Sequence, residues 1–209
     1  SAASKVAFRL SLNNIYGDAD DVVIGTTRSV TALAAGASST ASTTLTIPST
    51  TAPNSYYLCA RADSANTVVE TDESNNTLCS STLVTVPPPD LIVSALSTTA
   101  TTAAPGTSIY MSNSIKNQGG SKAGASIVAF HLSANATYGD GDDIVSATSR
   151  TIASLAINST STASTSVKLP LTTPTGTYYI CAQADDANTV TESSESNNAA
   201  CTSTTIAVP

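Results

Sequence analysis

Two acidic runs carry the residues best suited to chemistry. Asp18, Asp20 and Asp21 stand in YGDADDVV, and Asp140, Asp142 and Asp143 stand in YGDGDDIV. Three carboxylates within four residues can supply the crowded oxygens that a hard cation such as Ca2+ requires. Neither run has the glutamate and full spacing of an EF-hand loop. Asp and Gly are also ordinary turn residues. Both readings stand: a Ca2+ site repeated twice, or a polar hairpin loop.

A second set recurs in the same way. Asp63, Glu70, Glu73, Asn75 and Asn76 return as Asp185, Glu192, Glu195, Asn197 and Asn198. Such side chains can ligate a metal, but they more often bond loop backbone and hold a long hairpin. Their carboxylates do not suggest a glycosidase pair, because the set is duplicated and lacks an aromatic platform. The single histidine, His131, is matched by Arg9, so no Ser–His arrangement can occur twice. The four lysines show no pattern pointing to a Lys–Asn crosslink. The sequons at Asn75, Asn135 and Asn158 are candidate glycan acceptors.

The four cysteines fall at Cys59, Cys79, Cys181 and Cys201, one pair with the same spacing in each half. That spacing predicts one disulfide per half and a location outside the cytosol. In TYYICAQAD the alternation places Tyr178, Ile180 and Ala182 inward and Cys181 outward. Cys201 likewise lies opposite Ile206 and Val208. The bridge is therefore expected between two neighbouring strands on the outer face, with Tyr56 and Tyr178 in the core.

These residues are carried by a repeat. Residues 1–87 align with 123–209 at an offset of 122 without a gap, and roughly half the positions are identical. A period that long is a whole domain. About one third of the residues are Ser or Thr, and charged residues are 11%. Helical periodicity is absent. Residues 88–209 read as seven short strands: 90–96, 109–118, 126–133, 144–152, 161–170, 175–185 and 199–208. Seven alternating strands over such a length predict an all-β, immunoglobulin or fibronectin type III-like sandwich. Two domains follow: a partial one over 1–87, with strands three to seven, and a complete one over 88–209. Pro87–Pro89 forms a stiff link.

The run PDLIVSAL…APGTS…IKNQGGSKAGA…HLSANATYGDGDDIV…PTGTYYICAQADDANTVTESSESNN resembles the bacterial cell adhesion related domain. The resemblance covers 88–209 and the matching part of 1–87. It implies an immunoglobulin-like sandwich in long surface or secreted proteins and no enzyme activity. The cysteine pair is not a general mark of that family.

Net charge is −7, and the eight Lys and Arg residues do not cluster. Nucleic acid, which needs a basic footprint, is excluded as a partner. No apolar run approaches the ~20 residues that span a bilayer. The expected function is a non-catalytic structural repeat of an extracellular fibre, filament or adhesin. Its partners would be neighbouring repeats or copies of itself. One alternative is a module of a secreted protein that binds surface glycans through Tyr16/Tyr138 and Tyr57/Tyr179. Another is a pilin-like subunit that polymerises by β-strand donation, since 1–87 lacks two strands. The ends at Ser1 and Pro209 suggest a slice of a longer array.

Overall fold

Val, Ile and Leu alternating with Ser, Thr and Ala suit a pleated, half-buried surface. The computed structural model describes all 209 residues and contains only strands, turns and loops. It forms two compact units, Ser1–Val86 and Pro87–Pro209.

The first unit contains β1 (Ser4–Ser11), β2 (Val22–Val30), β3 (Asn54–Arg61) and β4 (Thr77–Val86). They form one antiparallel sheet in the order β2-β1-β3-β4. The second unit contains β5 (Leu91–Ser97), β6 (Ser108–Asn117), β7 (Ser126–Ser133), β8 (Ile144–Ile152), β9 (Thr160–Lys168), β10 (Gly176–Gln183), β11 (Ala199–Cys201) and β12 (Ile206–Val208). One sheet runs β11-β10-β7-β8, with β12 also on β10; the other runs β5-β6-β9.

The inward residues of these sheets meet in one core. Phe130 and Leu132 of β7 and Ile180 of β10 are fully buried with Leu91, Met111, Ile115 and Val167 of the three-stranded sheet. Full burial of each such side chain is worth about 1.5–3 kcal/mol. Arg150 of β8 ties the two sheets together. Its guanidinium donates to Asn113 Oδ1 at 2.7 Å and to the Ser161 hydroxyl. Burial pulls its pKa down, so these acceptors must compensate its lost hydration.

The Asn-Gln-Gly turn clamps the start of β5. Gln118 N donates to Asp90 O at 2.8 Å, and Gly120 N donates to Pro88 O at 3.0 Å. A Cβ on Gly119 would lie 2.4 Å from Asp90 N, so only glycine permits this approach.

Two expectations from the sequence are corrected. The seventh strand is not continuous. Thr202 interrupts it: its hydroxyl accepts from Ile180 N at 3.1 Å and donates to Thr204 O at 2.7 Å. A side chain thus takes over the ladder bond, and the strand resumes as β12. There, Ala207 exchanges backbone bonds with the stretch Thr101–Ala103, which runs parallel to it.

The second correction concerns residues 38–46, the counterparts of β9, which form no strand. In the second unit every residue of β9 pairs with β6. The first unit has no counterpart of β6, and a backbone without a partner has no ladder to join. Its core is correspondingly small. Leu10, Ile24, Tyr56 and Val86 are buried, while Phe8, Leu45 and Ile47 are only half-buried.

Candidate functional site

Each acidic loop follows a core strand and is shaped by a short polar scaffold. In the first loop, Asn13 Oδ1 accepts from Ile15 N at 3.0 Å, and Asn13 Nδ2 donates to Asp18 Oδ2 at 2.7 Å. Gly17, at φ 101°, turns its N–H onto Asp21 Oδ2 at 2.6 Å. The second loop repeats these bonds. Asn135 Nδ2 reaches Asp140 Oδ2 at 2.8 Å, Thr137 N reaches Asn135 Oδ1 at 2.8 Å, and Gly139 N reaches Asp143 Oδ2 at 2.6 Å.

This scaffold holds the carboxylates face to face. One oxygen from each of Asp18, Asp20 and Asp21 lies within 4.8 Å of the other two, and the same holds for Asp140, Asp142 and Asp143. Amide donors hold one oxygen of Asp18 and one of Asp21, while Oδ1 of Asp18, Asp20 and Asp21 is buried without a hydrogen-bond partner. The Asp21 side chain is 0% exposed and the Asp143 side chain 6%, and Asp143 Oδ1 is also unpartnered. The Asp18 carboxylate beside it pushes the Asp20 carboxyl up, and Asp140 does the same to Asp142. Like charges crowded together in this way attract a proton or a cation. The donor set is all oxygen, which fits a hard divalent ion.

Both cysteine pairs are bridged, Cys59 to Cys79 and Cys181 to Cys201. Each pair lies directly opposite across two neighbouring strands. Outward facing does not mean exposure here, because Cys59 and Cys181 are 0% exposed. On the other side, Cys59 faces Arg9 and Cys181 faces His131. These residues carry aromatic neighbours: the Arg9 guanidinium lies 4.9 Å from the Tyr16 ring centre, and the His131 and Tyr138 rings are 4.6 Å apart. Tyr56 and Tyr178 point into the core and donate their hydroxyls to Ala52 O at 2.8 Å and Pro174 O at 3.1 Å.

The second recurrent polar set closes on itself. Asp63 accepts from Val68 N at 2.8 Å and from Thr67 N at 3.0 Å, and these bonds hold its carboxyl below the usual range. Glu70 N donates to Glu73 at 3.1 Å, and Asn76 donates to Glu70 at 2.6 Å. The counterparts Asp185, Glu192, Glu195 and Asn198 repeat the network. Here the side chains serve loop backbone.

Glu192 also does something its counterpart Glu70 does not. It accepts the Leu91 amide, and Asn197 donates to Asp90 at 3.0 Å, so the loop grips the start of β5. Burial pushes the Glu192 carboxyl up to about 7, with the Glu195, Asp185 and Asp90 carboxylates adding to it. A folded-state pKa above the ordinary 4.5 gives stability that is present below that value and lost as pH rises through about 7. The second unit is therefore expected to lose on the order of 2 kcal/mol between pH 5 and pH 8.5 through this group. Glu192→Gln, which keeps an acceptor for Leu91 N, should flatten that difference in urea unfolding. An unchanged difference in the variant refutes the assignment.

A family model described as CARDB matches residues 2–80 and 88–202. The chain belongs to the CARDB family. CARDB is a family of adhesion-related cell-surface domains. A domain from a cell surface protein of Methanosarcina acetivorans is 24% identical, with a TM-score of 0.41; the match covers 58% of this chain and 93% of that one. A CARDB domain of Pyrococcus furiosus, crystallised in complex with di-metal ions, is also 24% identical, with a TM-score of 0.42 and coverage of 60% and 97%. No curated protein matches the chain.

Of the four tyrosines expected to offer a glycan platform, two are engaged within the unit: Tyr16 by Arg9, and Tyr138 by His131 and Asp186. Asn75, Asn135 and Asn158 are all exposed, and the Asn135 side-chain amide also donates to Asp140. No helix is long and apolar enough to cross a membrane.

Proposed function

We propose that this CARDB chain is a structural repeat of an extracellular fibre or adhesin, with each acidic loop a Ca2+ site that stiffens its unit. The observation carrying this reading is the repeated triad of carboxylates, held within 4.8 Å of one another and including a buried, unpartnered oxygen in each unit. A divalent ion would relieve the repulsion within each triad and fix the loop between two strands. The disulfides hold the neighbouring strands within each unit. Removing Ca2+ with a chelator is expected to lower the melting temperature by about 4 °C or more. Asp142→Ala should reproduce the loss in the second unit. An unchanged melting temperature with chelator sinks the cation reading, and compact, unassociated particles in electron micrographs of the native material sink the fibre reading.

A second reading, β-strand donation, draws on residues 38–46. Their backbone lacks the ladder that β6 provides in the second unit, and the half-buried Phe8, Leu45 and Ile47 lie beside a face without a second sheet. A strand pair of the β5–β6 type is the complement this face would take.

A further inference from the structure

In the second unit the loop after β10 grips the head of β5, and the first unit repeats that loop beside an open cleft. Ser193 N donates to Pro89 O at 2.9 Å, Asn197 Nδ2 donates to Asp90 Oδ1 at 3.0 Å, and Glu192 accepts the Leu91 amide. The counterparts of Glu192, Ser193 and Asn197 are Glu70, Thr71 and Asn75. All three are exposed, and they line a cleft of about 450 Å³. Asn76 holds one Glu70 oxygen at 2.6 Å, as Asn198 holds one Glu192 oxygen at 3.1 Å; the other oxygen of Glu192 takes the Leu91 amide. The core side of the cleft follows the same pattern. Val6, Val30, Leu33 and Val68 are half-buried and border a second opening of about 240 Å³ with Arg28 and Glu70. Their counterparts Val128, Ile152, Leu155 and Val190 are buried in one cluster with Leu91 of β5 and Ile115 of β6. Arg28 donates to the Ser39 hydroxyl as Arg150 donates to that of Ser161, and Arg150 also donates to the fully buried Asn113 of β6 at 2.7 Å.

We propose that this cleft of the first unit is a peptide-binding site for an extended segment headed Asp-Leu and carrying an inward Asn, the chemistry of residues 88–122, with Glu70, Asn75 and Arg28 as the side chains that select it. The inference rests on the strand-donation reading of the open face and adds the groups that choose the strand. Glu70 accepts the leucine amide, Asn75 donates to the aspartate, Arg28 donates to the asparagine, and the leucine side chain enters among Val6, Val30, Leu33 and Val68. A backbone ladder gives affinity but reads little sequence, because every strand offers the same N–H and C=O groups; side-chain contacts supply the choice. The second unit shows the occupant, since the same side chains are closed there on residues of β5 and β6. Two of the three contacts involve a charged group, so their loss weakens binding more than loss of a neutral hydrogen bond.

Titrating a fluorescently labelled peptide of residues 88–122 into the whole chain, with amide exchange read in parallel, tests this. The expected result is saturable one-to-one binding and slowed exchange over residues 38–46, which gain the ladder that β6 gives β9. Glu70→Ala, at an exposed position, should weaken binding about tenfold, and Asn75→Ala severalfold. Peptides N-methylated at Leu91, or carrying Asp90→Ala or Asn113→Ala, should lose affinity to a similar degree and leave the chain itself untouched, which guards against a misfolded variant. Each change in the peptide should have no further effect in the chain that lacks its partner: N-methylation with Glu70→Ala, Asp90→Ala with Asn75→Ala, and Asn113→Ala with Arg28→Ala. Binding that slows exchange over 38–46 but ignores these changes would overturn the selecting side chains and leave strand donation intact. No binding, or binding without slowed exchange over 38–46, would remove both.

Discussion

Phe130→Ala is expected to destabilise the second unit by about 3–5 kcal/mol, the cost of emptying a closed core position. Phe130 is fully buried between the two sheets, among Leu91, Met111 and Val167. Its counterpart in the repeat, Phe8, is only half-buried because the first unit has a single sheet. Phe8→Ala should therefore cost only about 1–2 kcal/mol. Hydrogen exchange under increasing urea, read separately in each unit, measures both. Placing a copy of residues 88–122 directly ahead of Ser1 supplies the β5–β6 complement in the register of the repeat. If that strand pair fits the face, the cost of Phe8→Ala rises toward that of Phe130→Ala. Equal costs in the unaltered chain would show that something else covers Phe8, and no rise on fusion would refute the complement.

Removing the second disulfide by Cys181→Ala with Cys201→Ala is expected to cost about 3 kcal/mol. The bridge closes a sequence separation of 20, and one sulfur-bearing residue, Cys181, is completely buried. The loop it closes contains Asp185, Glu192 and Asn198, the network that grips Leu91. Loss of the bridge should therefore loosen β5 before the rest of the sandwich. Urea denaturation of the double variant, with exchange of the Leu91 amide as a local probe, tests both claims. A loss below about 0.5 kcal/mol would mean that the strand ladder alone holds the loop.

Several features followed directly from residue types and spacing. The 122-residue repeat was legible because duplicated sequence needs no structure to be seen. β7 and β8 were legible to the residue because apolar alternation is strong there and each strand is bounded by turn residues. The break in the seventh strand was hidden, because Thr202 looks like any other strand residue until its hydroxyl is seen accepting from Ile180 N. The grip of Glu192 on Leu91 was equally hidden, since the two residues are 101 positions apart.

The triple aspartates marked a candidate site in the sequence, but an acidic turn and a cation loop share that composition. What separates them is geometry: the scaffold of Asn13 and Gly17, or of Asn135 and Gly139, holds one oxygen of an aspartate and leaves another without a partner. By itself, the sequence determined the repeat, the strand periodicity, the cysteine pairing by neighbouring strands and the membership in an adhesion-related family, because all of these are properties of local order. Only the tertiary structure decided that the first unit is a single open sheet whose residues 38–46 stay unladdered. The same holds for Arg9 and His131, which stand beside equivalent aspartates. A ladder needs a partner strand and a charge acts through distance, and neither is written in the order of residues along one chain.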